Sequence, residues 1–473
     1  MGLTAEQAAT ITDRMAARMQ LRRTSLDLWE QYFSGEHPLA FASKEWAKFH
    51  EHRYEGFSDN WCGVVGRAAP DRRELYGLRL GDDAEVQSDD EKALWRDWES
   101  TEGPSKASMG WLASAYLSTS YSLVWGSAAG EPLLSWESPL EAIIEYDPET
   151  GEALYGLKLW ADETHEYATL YTADELWKWK RTRPTTLILP REYVQLAGGW
   201  MPRGEMFVEA NPLGIMPLVE HPNRPLLSKG PISDIAGMVP MQKAINLMWA
   251  YLFGAADYAS MPARVIMGQE PPKMPILDEN GQQIGEQAVD QEKLKAGRLL
   301  WLTGQNTKID QFDPAKLDVF TAVINVAVKH VASQTQTPIH YIMGELGNVN
   351  GETLTAVELP LATKVRGGNK HLTQPVREIF RRFALVRGQK ELADACRVGV
   401  VQWKNPETMS DAQVSDAASK DKTIGWPFAA ILERRYNLSQ PEIARIQAMA
   451  EAEASDPLLS QMLNKVSNAQ VGA

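Results

Sequence analysis

Cysteine is nearly absent: Cys62 and Cys396 are the only two in 473 residues. They stand far apart, and neither has metal-ligand spacing around it. A disulfide framework and a cysteine-based zinc module are excluded. The pair reads as buried thiols of a reducing compartment. Long apolar runs are absent too. No segment reaches the ~20 consecutive apolar residues that a bilayer span requires. The first turns hold Arg14, Arg18, Arg22 and Arg23 rather than the apolar centre of a signal peptide. A soluble protein with no membrane partner is expected. Cations are in short supply, 48 Lys and Arg against 62 Asp and Glu, giving a net charge of -14 and a pI near 5.2. Such a surface does not wrap nucleic acid, whose backbone is held by Lys and Arg. It does suit a channel that DNA merely passes through, where net repulsion helps.

The signatures of catalysis are missing as well. There is no His-Glu-x-x-His, no Gly-x-Ser-x-Gly, no dinucleotide fingerprint and no Gly-x-x-x-x-Gly-Lys-Ser/Thr, so the chain is not itself a P-loop motor. The eight histidines form no ligating pair; His50 and His52 would not share a helical face. No cofactor and no metal are expected. Glu345 and Glu352 could hold Mg²⁺ only if the segment between them folded over, and acidic loop residues are usually solvated.

What is present is mostly helix, in a length that predicts two to four domains. An amphipathic helix spans 4–33, with Thr4 and Gln7 as its cap. Residues 60–80 are spaced as a helix. Ser88 and Glu91 form a capping box before Leu94, Trp95 and Trp98, and a further helix covers about 106–119. At Tyr121 the period changes to two, and an antiparallel sheet domain is predicted over 121–220. Gly230-Pro231 then opens a long helix whose only ionisable residue between Asp234 and Asp257 is Lys243. Its low-charge face, with Ile245, Trp249 and Leu252, belongs in a large core or against copies of itself. Residues 260–312 read as a projecting β insert with a hairpin turn at Asp278-Glu279-Asn280-Gly281. A second helix runs from about Ala315 to the break at Thr337-Pro338. A loop with Ile342, Met343, Glu345, Leu346, Val349 and Glu352 follows, made adaptable by Gly344, Gly347 and Gly351. The next helix, through Leu372, Val376, Ile379, Phe380 and Phe383, should be kinked or divided by Pro360 and Pro375. A strand ends at Trp403-Lys404-Asn405-Pro406, and a helical tail carries a capping box at Ser439 and Glu442.

This order of elements resembles the portal proteins of long-tailed double-stranded DNA bacteriophages, in the branch typified by the SPP1 portal. The phrases that carry the likeness are Asn211-Pro212-Leu213-Gly214-Ile215-Met216-Pro217, Gly230-Pro231-Ile232-Ser233-Asp234-Ile235, Gly351-Glu352-Thr353-Leu354 and Trp403 to Pro406. The resemblance implies an α+β, mainly helical multidomain fold that assembles into a ring. Residues 1–230 would be the wing, 231–259 and 313–337 the stem, and 260–312 the clip. Residues 338–353 would be the tunnel loop, 354–420 the long wing helix and wing return, and 421–473 a crown-like tail, here short.

It further implies a ring of twelve subunits at one capsid vertex, a conduit for packaging and ejecting double-stranded DNA. Implied partners are a terminase large-subunit ATPase, a head-to-tail adaptor, and the major capsid and scaffolding proteins. The implied location is the virion, with assembly in the host cytoplasm. The tunnel loop would bring Ile342, Met343, Glu345, Leu346, Val349 and Glu352 to the DNA path. Ile245, Trp249 and Leu252 would make stem contacts between subunits, and Asp278, Glu279 and Asn280 would face clip partners. Two alternatives remain at this point: an enzyme whose lid is the acidic loop, and an oligomeric virion scaffold or adaptor that is not a portal.

Overall fold

The helical and two-residue periods of the chain separate into two compact units, and the chain passes back and forth between them. A computed structural model describes residues 2–37, 54, 57–81, 88–182, 199–260, 264–267, 273–277, 282–288, 299–302, 308–311, 316–344, 351–407 and 409–455. One unit comprises Met1–Ser34, Asn60–Val239 and Ala332–Ala473; the other comprises Gly35–Asp59 and Pro240–Val331.

The first unit begins with α1, Ala5–Ser34. Its cap is reciprocal: the Thr4 amide donates to Gln7 Oε1 at 2.9 Å and the Gln7 amide donates to Thr4 Oγ1 at 3.2 Å. α2, Trp61–Ala68, is capped by Asn60, which accepts from the Gly63 amide. Residues 60–80 are therefore not one helix. Pro70 opens a 3-10 turn, Pro70–Arg72, and strand β1, Leu75–Arg79, follows. Pro70 has no amide to continue α2, and β1 finds its partner at residues 400–403, where local spacing cannot reveal it.

The predicted capping box at α3, Asp89–Ser100, forms through Ser88 and Glu91 in both directions. α4, Gly103–Leu117, precedes a run of strands. These are β2 (Thr119–Gly126), β3 (Pro132–Glu137), β4 (Ala142–Tyr146), β5 (Ala153–Ala161), β6 (His165–Tyr171), β7 (Glu175–Thr182), β8 (Met201–Pro202), β9 (Val208–Ala210) and β10 (Leu218–Pro222). They pair antiparallel in two sheets, β10-β2-β3 and β4-β5-β6-β7-β8, with β9 also on β7. Alternation decides the layers. Leu157, Leu170, Trp177 and Trp179 pack with Ala8, Ile11, Met15 and Met19 of α1. Tyr171 and Leu176 pack instead with Met216, Leu218 and Tyr121 of the smaller sheet. Gly156 lets that second layer close: a Cβ there would stand 2.7 Å from Met216 Sδ.

α5 is Val239–Ser260. It does not begin at Gly230-Pro231, as the proline position predicted. The backbone before it is committed elsewhere: the Asp234 amide donates to the Ala115 carbonyl at 2.8 Å, and the Ile232 amide to Asn223 at 3.0 Å. The insert of the second unit holds β11 (Arg264–Met267), β12 (Lys273–Leu277), β13 (Gln283–Ala288), β14 (Leu299–Leu302) and β15 (Lys308–Gln311). β11 lies between β14, which is parallel to it, and β15, which is antiparallel. β12 and β13 pair antiparallel as the two arms of the expected hairpin.

α6, Asp318–Thr335, leads to a short α7, Ile339–Met343, and then to α8, Gly351–Val386. α8 is a single helix of 36 residues; Pro360 and Pro375 lie inside it and do not divide it. Its second half is the centre of the first unit. Leu372, Val376, Ile379, Phe380 and Phe383 meet Leu94, Trp95, Trp98 and Trp111. α9 (Lys390–Cys396), β16 (Val400–Trp403), α10 (Asp411–Ile424), α11 (Phe428–Tyr436) and α12 (Gln440–Ser455) complete the chain. The Ser439 amide donates to the Glu442 carboxylate, one half of the predicted capping box; the Ser439 hydroxyl donates to the same carboxylate instead of accepting from the Glu442 amide.

His221 on β10 gives this fold a dependence on acid. Its ring is fully buried, 2.9 Å from the Ser122 hydroxyl and 4.6 Å centroid to centroid from Trp136. Burial first, and the Arg382 guanidinium second, push the imidazole down to about 3. An unfolded histidine titrates near ~6.5. The folded value is the lower one, so the stabilisation is complete above pH ~6.5 and is lost as pH falls from there toward about 3. His221→Gln should reduce the stability lost between about pH 7 and about pH 4.5 by about 2–3 kcal/mol. Denaturant melts at the two pH values measure it; equal losses in variant and parent would remove His221 from the account.

Candidate functional site

The link from α6 to α8 is a fold of its own, not a plain loop. The Thr337 amide donates back to Ala332 at 3.0 Å, and Gln336 takes a positive φ of 56° to permit it. Pro338 then starts α7, and Gly344 stops it at φ 65°, its amide donating to the His340 carbonyl at 3.1 Å. That left-handed backbone is where glycine is required. Gly351 and Glu352 already belong to α8. Glu345, Leu346 and Val349 lie outside the described residues. Ile342, expected on the loop surface, is buried at 6% exposure, while Met343 is half-buried. Ile342 thus serves the footing of the link.

That footing is charged. Glu358 of α8 is buried and sits between Arg72 and His340: Oε2 is 3.0 Å from Arg72 Nη2, and Oε1 is 3.4 Å from His340 Nε2. Arg72 also donates to the Pro406 carbonyl at 3.0 Å and to the Tyr341 hydroxyl, with its guanidinium 5.5 Å from the centre of that ring. Two turns along α8, the Lys364 ammonium is 2.9 Å from Asp234 Oδ2 and donates to the Thr335 carbonyl at 3.2 Å. Burial alone would raise the Asp234 carboxyl. Lys364 and Arg224 outweigh it and hold the group below the usual range, so it stays ionised. Sequence reading missed Arg72, Lys364 and Asp234, because charge partners so distant along the chain leave no local pattern.

On α5, the three expected contact residues have partners within their own unit or are buried. Ile245 and Leu252 are buried. The Trp249 indole donates to Asp59 Oδ2 at 2.6 Å and packs against Phe57 and Phe253 at 5.4 and 5.6 Å. An exposed apolar stripe lies on α6. Val319, Val323 and Val326, at steps of four and three, are 59%, 47% and 55% exposed,. α6 has apolar residues on more than one side, so spacing alone did not single out this face. Asp278, Glu279 and Asn280 fall in the β12–β13 turn, outside the described residues. Cys62 and Cys396 are buried, and burial pushes both thiols up to about 12, far from a thiolate nucleophile at neutral pH,. Among the described residues no group of three or more His, Cys, Asp or Glu could hold a metal ion, and no helix is long and apolar enough to cross a membrane.

Residues 75–456 match the model of the phage portal protein family, SPP1 Gp6-like. The chain belongs to that family. The portal match opens at the first residue of β1 and extends past the end of α12, so the α6–α7–α8 link lies inside it, whereas α1 and α2 lie outside. Two curated portal proteins are similar along most of their length. That of Mycobacterium phage D29 is 27% identical over 365 residues, covering 74% of this chain and 69% of the relative. That of Mycobacterium phage L5 is 26% identical with the same coverage. Bacteriophage portal function is thereby established, and the α+β fold agrees with it.

The different surroundings of Trp249 and Val323 are measurable in the unassembled chain. Trp249→Ala removes a ring held by two others and leaves Asp59 without its indole donor; it should lower the unfolding free energy by about 3–5 kcal/mol. Val323→Ser, on the exposed stripe, should change it by no more than about 0.5 kcal/mol. Chemical denaturation distinguishes them, and similar losses would mean that the two faces are wrongly assigned.

Proposed function

We propose that the chain forms a ring of twelve copies at one vertex of the capsid, through which double-stranded DNA enters during packaging and leaves during ejection. The observation that carries this is the portal-family match across 75–456, which spans the whole stretch from α6 to α8. Each copy acts as a structural conduit. The energy comes from a separate terminase ATPase, which docks on the insert at 260–312 with Asp278, Glu279 and Asn280 in its contact. A head-to-tail adaptor takes the same surface after packaging. The major capsid and scaffolding proteins surround the ring as it assembles in the host cytoplasm.

Stem contacts between subunits involve α5, which carries Ile245, Trp249 and Leu252, together with α6. The exposed stripe of Val319, Val323 and Val326 supports this, because contiguous apolar surface mostly marks an interface. The segment 338–353, with Met343, Glu345, Leu346, Val349 and Glu352, lines the DNA path. Its sequence supports this role: no Lys or Arg occurs between Lys329 and Lys364, so the segment cannot pair tightly with phosphate,. Twelve copies of a chain of charge -14 would carry -168 in all. Repulsion of that sign favours sliding over binding. Neither the buried thiols nor any metal-ligating group among the described residues supports the lid-enzyme alternative.

Two measurements test the proposal. Electron microscopy of the purified protein should show closed rings with a central opening wide enough for B-form DNA; strictly monomeric particles, with and without scaffolding protein, would overturn it. In a terminase-driven assay, Glu345→Lys rings should assemble normally yet package DNA more slowly, with the larger penalty at low salt because the added attraction is screened. Equal rates for variant and parent at both salt concentrations would take the segment out of the DNA path.

A further inference from the structure

We infer that Glu358 and Lys364 of α8 form a clamp that joins the last turn of α6, the whole of α7 and the first half of α8 into one body, so that the chain does not hinge at the Thr337-Pro338 break. The inference rests on the reading that this segment lines the DNA path.

The Glu358 side chain is 8% exposed and that of Lys364 is 4% exposed. Ions that deep remain charged only while their partners stay in place. Their partners are the two ends of one short stretch of chain. Lys364 takes the Thr335 carbonyl, the last residue of α6. Glu358 takes His340, the second residue of α7. Between these anchors the backbone is closed on itself as well: Thr337 bonds to Ala332, and Tyr341 to Pro338 at 3.0 Å.

Arg72 extends the clamp outward. It grips Tyr341 by hydroxyl and ring, Glu358 by its carboxylate, and the turn after β16 through the Pro406 carbonyl. Asp234 does the same for Lys364, since it is itself held by Arg224 and by the Asn223 amide at 2.8 Å. A hinge at Pro338 would have to break several of these contacts together. Gly344 is the first residue after the anchored stretch, and its φ of 65° marks the end of α7. Glu358 and Lys364 are therefore positioning residues. They act on DNA only through the segment whose foot they fix.

The test uses assembled full-length protein and reads amide hydrogen exchange together with packaging rate. Glu358→Gln should speed exchange of the α7 amides at 341–344 by about tenfold or more, because their anchor is a lost charge pair. Exchange at 372–383, in the core half of α8, should stay at the parent level, as should ring yield. Packaging should slow. Lys364→Met should have the same signature at 335–337, and Lys364→Arg should restore it in large part. Unchanged exchange at 341–344 in Glu358→Gln overturns the clamp. A uniform rise that includes 372–383 also overturns it, since that would be general destabilisation. Faster α7 exchange with parental packaging sustains the clamp and instead removes the segment from the DNA path. If Glu358→Gln fails to assemble, Tyr341→Phe serves, because it deletes only the hydroxyl that Arg72 holds. A local rise in exchange at 341–344 supports the clamp and no rise overturns it.

Discussion

A helix of 36 residues with two internal prolines is not stable by propensity; what covers it decides whether it exists,. α8 is covered differently along its two halves. Around Phe380 and Phe383 it is wrapped by tryptophans from α3 and α4, and Trp98 lies 5.6 Å from Phe380. Around Glu358 and Lys364 it is held by ion pairs from the turn before β1 and the segment before α5. The apolar half supplies non-directional stability. The charged half supplies position, because an ion pair in a buried site tolerates little displacement. The link from α6 is attached to the half that specifies geometry.

This division explains which parts were legible in the sequence. The caps at Ser88 and Ser439 depend on residues three apart: the box at Ser88 forms in both directions, and at Ser439 the Glu442 carboxylate reaches back to the cap amide. The sheet over 121–220 and the hairpin arms around 278–281 rest on alternation and turn residues, and both are there. β1 was read as helix because its partner strand, β16, lies more than three hundred residues further along. The start of α5 was placed too early for a similar reason: the Asp234 amide is taken by Ala115, a residue of another helix. At the candidate site the same limit applies. The glycines and the missing cations of 330–363 were visible in the residues themselves. The footing made by Arg72, His340, Glu358 and Lys364 was not, because charge pairing across hundreds of residues has no period.

Burial also reassigned individual residues. Ile342 carries an apolar side chain in a glycine-rich stretch, which made it look like loop surface. α7 turns it inward, to 6% exposure. Trp249 sits on a face poor in charge, and within its own unit Phe57, Phe253 and Asp59 engage it. Low charge marks a face that will be covered. It does not say by what.

The pairing of β1 with β16 has a consequence for the order of events in synthesis. Leu75–Arg79 is made early, and its partner is made more than three hundred residues later. Contacts of such separation form late, since the intervening chain must first be ordered. The second unit interrupts the first between Val239 and Ala332, so it is complete before the first unit can close. Until Trp403 has emerged, β1 remains an unpaired strand edge, the kind of edge that attracts wrong partners. The first unit of a nascent chain therefore reaches its final form only after residues 400–403 have been made.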